Sequence, residues 1–370
     1  MNPDTAELAI PDTASELAAP LGIPATDPGG MGFVRRRSSL LRADPARMAA
    51  VSDSWRALWS SRLLVWMAGV GTLLAFGFGP VRNAFNPPGV TRGFGWLGDL
   101  LAAPAARWDA AWYLVIAHYG YRPDLGAFTS SRTAFFPLYP LGLHVIASSG
   151  VPPVLAGVLL SLGALSLSLY GIHRLTTLEL SRSGRTGIPR PQGREVARLA
   201  VLVTAFAPMA FYFSAVYSES LYLALSVGLF WCARKGRWAT VGVLGALAAA
   251  TRSAGVVLLV PALILYLHGP REDRDPDFSP SRFSIRRYRL RADILWLAMV
   301  PAGLGLYLAY LAFSGGEGLM PFPAIFKQLK KMNYQGCVNL EYEINPKDPL
   351  PGVLRSMFYM RGVLAGLGAA

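Results

Sequence analysis

Hydrophobic and polar positions follow each other along this chain in long blocks rather than residue by residue. The first sustained apolar run, Leu63 to Gly79, is long enough to cross about 30 Å of hydrocarbon with slight tilt or snorkelling flanks. Further runs lie at Val154 to Ile172, Leu199 to Tyr217, Ser220 to Ala233, Ala239 to Thr251, Ala254 to Leu267 and Ile294 to Phe313. Such runs predict helices, because a backbone in lipid must satisfy its own hydrogen bonds. The expected fold is all-α, a polytopic transmembrane helical bundle of about seven spans. Residues 1–60 are rich in Pro, Ala, Asp and Arg and carry no sustained apolar stretch. They read as a disordered cytoplasmic tail without a cleavable signal peptide, so the first span is expected to stay in the chain. Residues 61–315 form the expected membrane module. Residues 316–370 are expected as an outer segment, in which apolar Gly352 to Ala370 starts a truncated C-terminal region.

Composition agrees with a membrane protein: 53% of the 370 residues are hydrophobic, 15% are charged, and mean hydropathy is +0.36. The net charge of +13 does not point to nucleic acid, because the basic residues sit in short blocks between apolar runs. One block holds Arg174, Arg182, Arg185, Arg190, Arg194 and Arg198, a second Arg234, Lys235 and Arg237, and a third runs from Arg271 through Arg286 and Arg287 to Arg291. Placing all three in the cytoplasm puts residues 81–152 and the turns at Glu219 and Arg252 on the outer face. It also makes the apolar stretch Ala134 to Ser148 a re-entrant or interfacial segment, interrupted by Pro137 and Pro140. Cys232 and Cys337 fall at opposite ends of this topology, so no disulfide within the chain is expected.

The outer loop carries Arg107-Trp108-Asp109-Ala110-Ala111-Trp112-Tyr113 and runs on to His118-Tyr119-Gly120-Tyr121. Read as a helix it is amphipathic and interfacial, with Trp108, Trp112, Val115 and Tyr119 in one aromatic stripe and Asp109 and Tyr113 on the neighbouring face. A carboxylate held beside aromatic rings, with a cation close by, is a usable general base, and Asp109 is that candidate. A helix cap, a pair with Arg107 or plain solvation would each account for it as well. Glu219 and Arg252 lie at outer ends of spans, where an ionisable group needs a partner or a watery cavity. Pairing with each other is one reading; Arg252 gripping a phosphate through its forked donors is the other. The four histidines, His118 among them, show no metal-ligand spacing, so no metal site is expected. The chain also lacks a phosphate-binding glycine loop and a nucleophile elbow.

Trp108-Asp109-Ala110, Trp112-Tyr113, Ile116-Ala117 and Gly120-Tyr121, followed by Ala134-Phe135-Phe136-Pro137-Leu138-Tyr139-Pro140, resemble the family of the second mannosyltransferase of GPI-anchor synthesis and its bacterial relatives. Ser214 to Leu221 and Ala248 to Gly255 look like further blocks of it, although Ser253-Ala254 stands where a proline often precedes the glycine. The family is similar to the GT-C glycosyltransferases. The resemblance implies transfer of mannose from a polyprenyl- or dolichyl-phosphate-mannose donor to a lipid-linked or glycan acceptor on the non-cytoplasmic face, with inversion and with no cofactor expected. Asp109 occupies the place of the family's outer-loop acid. An inverting displacement needs a base, assigned to Asp109, and a cation for the donor phosphate, assigned to Arg252 and then Arg107. Glu219, Tyr113, Trp108, Trp112 and His118 are assigned to orienting substrate, and the Trp108, Trp112 and Tyr113 rings read equally as interfacial anchors. The expected partners are that donor, the acceptor and membrane lipids, but no nucleic acid. The expected place is an integral, multi-pass position in the plasma membrane of a bacterium or the endoplasmic reticulum membrane of a eukaryote. A multispan lipid or sugar transporter, with Glu219 and Arg252 lining a path, is the alternative.

The orientation is tested by side-specific labelling of single-cysteine variants in which both native cysteines are replaced. Arg185→Cys should label only after the membrane is opened, and Asp109→Cys in intact cells; labelling of position 185 from outside would overturn the arrangement.

Overall fold

The structure is a computed structural model that describes residues 44–78, 95–121, 130–181, 190–274, 288–313, 322–334, 338 and 350–368. The tail before Asp44, and Arg182, Arg185, Arg286, Arg287, Cys337 and Lys347, lie outside the described residues. Every candidate site residue lies within Ala49–Ala370. Asp44 opens helix α1 (Pro45–Phe76) by accepting the Ala46 N–H at 3.0 Å, while Pro45 stands where a helix needs no N–H. Residues 45–60, expected as tail, are therefore helical, because the cap is followed by good helix formers without a breaker.

Helices α2 (Gly95–Ala102) and α3 (Ala110–Tyr119) follow, then a 3-10 turn at Ser130–Ala134, α4 (Leu138–Ala147), α5 (Pro153–Ser181) and α6 (Arg190–Ala205). After a 3-10 turn at Ala210–Phe213 come α7 (Glu219–Arg234) and α8 (Trp238–Thr251). The 3-10 turns Ser253–Leu258 and Ala292–Ala298 lead into α9 (Leu259–His268) and α10 (Met299–Phe313), and α11 (Phe322–Lys331) and α12 (Leu350–Gly366) complete the set. All regular structure among the described residues is helical. Pro45–Phe76, Pro153–Leu180 and Ala292–Phe313 are long and apolar enough to cross a membrane. The other places in the seven-span reading hold shorter helices.

Three local expectations change. The apolar run from Leu199 does not stay helical to Tyr217, since α6 stops at Ala205 and Pro208 follows. Pro137 and Pro140 start α4 instead of interrupting it, as cap and first-turn residue, positions where a missing N–H costs nothing. Finally, α3 is not an amphipathic surface helix. It begins after Trp108, and Ala110, Ala111, Tyr113, Leu114, Val115, Ile116 and Ala117 are all buried, because α4 and α5 both pack against it.

Along the bundle α6 packs on α5, α5 on α7, α7 on α8 and α8 on α10. The last crossing is close because a Cβ on Gly303 would meet the Ala246 carbonyl at 1.9 Å and one on Gly242 the Trp296 carbonyl at 2.2 Å. One end of the bundle holds the basic connections. There Arg234, at the end of α7, pairs with Glu179 at 2.5 Å and donates to the Pro270 carbonyl. Lys235 meets Glu272 at 2.7 Å, and buried Arg271 sits between the rings of Trp238 and Tyr266 while pairing with Asp273. Asp53 nearby joins His173 and Arg194, each at 3.3 Å.

Where α6 ends, its freed carbonyls need donors. Arg62, buried in the middle of α1, supplies them: Nη2 donates to the Ala205 carbonyl at 2.7 Å and Nη1 to the Ala210 carbonyl at 2.5 Å. Replacing it orphans both acceptors in an apolar setting. Arg62→Leu should cost about 3 kcal/mol, seen as a lower thermal midpoint of the full chain in detergent, while Arg56→Leu on the exposed side of α1 should leave the midpoint unchanged. Equal midpoints for the two variants would count against the capping role.

Candidate active site at the end opposite the basic connections

Residues 206–218 run outside any long helix: short turns pair several of their backbone groups, Phe206, Pro208 and Met209 are exposed, and over buried Ser214 to Ser218 the remaining polar groups need partners from elsewhere. Ser161 of α5 donates to the Ala215 carbonyl at 2.7 Å, Ser220 donates to the Phe213 carbonyl at 2.7 Å, and the Val216 N–H reaches the Ala105 carbonyl at 2.9 Å. Together with Arg62 these bonds set Tyr217, Ser218 and Glu219 beside the start of α3.

Trp108 precedes that start in a left-handed conformation (φ 52°), which costs a bulky residue about 1–2 kcal/mol. The hydroxyl of buried Tyr217 spans the turn. It accepts the Asp109 N–H at 2.9 Å and donates to the Arg107 carbonyl at 3.1 Å. Asp109 itself caps α3 by position only: its side chain makes no capping bond and is exposed, where the sequence suggests a carboxylate partly desolvated beside aromatic rings. One turn on, the Tyr113 hydroxyl bonds to Ser218 Oγ at 2.9 Å. Burial pushes the Tyr113 phenol up to about 12, against the pull of the Ser218 bond, and the charges of Glu219, Arg252 and Asp109 all reach it. Tyr113 therefore keeps its proton at neutral pH and serves as a hydrogen-bonding hydroxyl, not as a base.

Glu219 opens α7, where a helix N-terminus favours a carboxylate, and Arg252 ends α8. Their side chains meet, Arg252 Nη1 lying 2.5 Å from Glu219 Oε1. The arginine side chain remains 43% exposed, leaving part of its fork open, and Glu219 Oε2 is buried with no hydrogen-bond partner among the described residues. Arg252 reaches this place because the chain folds back sharply on α8. A Cβ on Gly255 would lie 2.3 Å from the Ala248 backbone, so only glycine fits there. Since α7 has 16 residues, the Glu219–Arg252 pair stands about 24 Å from Arg234 at the basic end.

The other sequence candidates divide. Trp108 is 69% exposed and faces Phe211 at 5.7 Å, while Trp112 stacks on Phe135 at 5.8 Å. Arg107 donates to the Phe78 carbonyl at 3.1 Å and lines an apolar cavity of about 540 Å³ between α1 and the 104–108 turn. His118 lies at the far end of α3, against the Tyr119 ring and beside His144 in a separate pocket, and is not brought to Asp109. No group of three or more His, Cys, Asp or Glu side chains fit to hold a metal occurs among the described residues. In the sequence Tyr217 and Ser218 carry no role of their own; they stand only as members of Tyr217-Ser218-Glu219-Ser220 at an outer span end and of the Ser214 to Leu221 block.

The family model described as "Mannosyltransferase (PIG-V)" matches residues 83–269, which take in Asp109, Tyr217, Glu219 and Arg252. GPI alpha-1,6-mannosyltransferase 2 of Rattus norvegicus is 30% identical over 181 residues, covering 47% of this chain and 35% of that protein. The Mus musculus protein of the same name is 31% identical over 158 residues, covering 42% and 30%. The chain thus spans about a third of the length of the curated relatives it matches. No solved structure matches it. With the match extending over half of the sequence and over the segments that carry Asp109, Tyr217, Glu219 and Arg252, this chain belongs to the PIG-V mannosyltransferase family.

Proposed function

We propose that this protein is a GT-C-type glycosyltransferase that moves mannose from a polyprenyl- or dolichyl-phosphate-mannose donor to a lipid-linked or glycan acceptor. The reaction takes place on the non-cytoplasmic face of a polytopic bundle of about seven spans. The observation that carries this reading is the meeting of three segments, around Asp109, Glu219 and Arg252, at the end of α7 away from Arg234. A transport path would ask for charge midway along the helices, whereas Glu219 and Arg252 stand at helix ends.

In this scheme the acceptor oxygen attacks C1 of the mannosyl group while the bond from C1 to the phosphate oxygen breaks. The acceptor proton passes to Asp109 and the electron pair leaves with the lipid phosphate, so a β-linked donor gives an α-mannoside. Exposed Asp109 is open to an incoming hydroxyl. The free part of the Arg252 fork meets the developing phosphate charge, with Arg107 as second cation. Glu219 orients the Arg252 guanidinium through their pair, or a sugar hydroxyl beside it. Trp108 offers an exposed ring to the isoprenoid or sugar, and Trp112 and Tyr113 hold the floor of the site. The scheme draws on side chains alone.

Full-length protein in membranes, supplied with labelled polyprenyl-phosphate mannose, tests the activity. Asp109→Asn keeps the size of the side chain and removes its basicity, so transfer should fall by about 100-fold or more with the protein still folded and inserted. Near-normal turnover would remove Asp109 from the base role.

Arg252→Lys keeps the charge and loses the fork, so donor affinity should weaken by about 1–3 kcal/mol at unchanged thermal stability. If the pair with Glu219 only ties α7 to α8, a donor titration will show intact affinity for Arg252→Lys, and both Arg252→Ala and Glu219→Ala will lower the yield of folded protein.

A further inference from the structure

The reading of Asp109 as the base leaves open what fixes that carboxylate relative to the Glu219–Arg252 pair, since Asp109 is exposed and its side chain makes no capping bond. From the hydrogen bonds across the turn we infer that Tyr217 is a positioning residue for the reaction, acting through the backbone on which Asp109 sits. Its hydroxyl touches both peptide units flanking left-handed Trp108, taking the Asp109 N–H at 2.9 Å and giving its proton to the Arg107 carbonyl at 3.1 Å.

The next two residues extend the device. Ser218 holds the Tyr113 hydroxyl at 2.9 Å, which fixes the first turn of α3, and Glu219 holds Arg252. Three successive residues thus tie the base, its helix and the ion pair into one frame, with covalent bonds setting the spacing. Burial of the frame makes it stiff: Tyr217 is 6% exposed and Ser218 fully buried. The Tyr217 ring has its own packing, 4.8 Å from Tyr212 and 6.0 Å from Tyr113, so the hydroxyl can be removed while the ring stays in place.

Tyr217→Phe is the test, made in the full chain in detergent or nanodiscs with polyprenyl-phosphate mannose as donor. A loosened Asp109 should lower kcat by about 10- to 100-fold, with donor KM within about two-fold and the thermal midpoint unchanged. Amide exchange over residues 108–113 should quicken, and exchange over α8 should not. Ser218→Ala, which spares Tyr217 and frees Tyr113, should give a smaller loss of the same kind. Unchanged kcat in Tyr217→Phe would overturn the inference, as would a loss that follows a lowered midpoint or a raised KM. If the unmodified protein transfers no mannose, the functional reading fails on its own account. The exchange measurement still decides the Tyr217 role, because unaltered exchange over residues 108–113 sinks it.

Discussion

The structure turns on how an apolar chain leaves a helix inside an apolar module. Once α6 stops at Ala205, short turns pair part of the backbone of the next dozen residues, and over buried Ser214 to Ser218 each group left unmet would cost free energy on the scale of a lost hydrogen bond. Arg62 answers for Ala205 and Ala210, Ser220 for Phe213, Ser161 for Ala215 and the Ala105 carbonyl for Val216. These donors and acceptors come from four different parts of the sequence. They make the irregular path possible, and that path sets Tyr217 and Ser218 beside Asp109 and Tyr113. A continuous helix through Tyr217 would have satisfied the same backbone without any of them, and left the Asp109 turn unsupported.

The same dependence explains what could be read from the sequence. Hydropathy marks α5 and the Ala292–Phe313 helix well, because both meet their neighbours through long apolar faces. The arginine blocks point to one end of the bundle, and Arg234, Lys235 and Arg271 do gather there with Glu179, Glu272 and Asp273. The end of α6 was misjudged because hydropathy runs unbroken to Tyr217 while the donor that permits the break, Arg62, lies more than 140 residues earlier. For α3 the aromatic spacing suggested a surface stripe, yet burial of that helix is decided by α4 and α5. The Glu219–Arg252 meeting was one of two readings left open, and the structure shows the contact. Tyr217 was invisible as an individual residue because its role depends on a left-handed Trp108, which no composition rule announces.

Charge is distributed so that the two ends of the bundle differ in kind. At the basic end each cation named above has an anion, a carbonyl or an aromatic face, and Arg271 is buried with all three. These pairs hold helix ends together, although Trp238 Nε1 and Arg274 Nη2 there are buried without a hydrogen-bond partner among the described residues. At the other end Asp109 is exposed, Arg252 uses one nitrogen on Glu219, and Glu219 Oε2 has no partner among the described residues. The two ends differ in exposure: Arg234 and Arg271 are buried in their pairs, whereas Asp109 and Arg252 stay open to an incoming group.

The run from Val216 to Glu219 also limits how the chain can change in length. Four consecutive residues reach four separate places: Val216 the Ala105 carbonyl, Tyr217 the Asp109 amide, Ser218 the Tyr113 hydroxyl and Glu219 the Arg252 guanidinium. None is a spare spacer. Removing or adding a single residue there would shift every later partner by one place, separating the Asp109 turn from the ion pair even if each element folded correctly. Length variation among relatives of this chain should therefore be absent from residues 216–219.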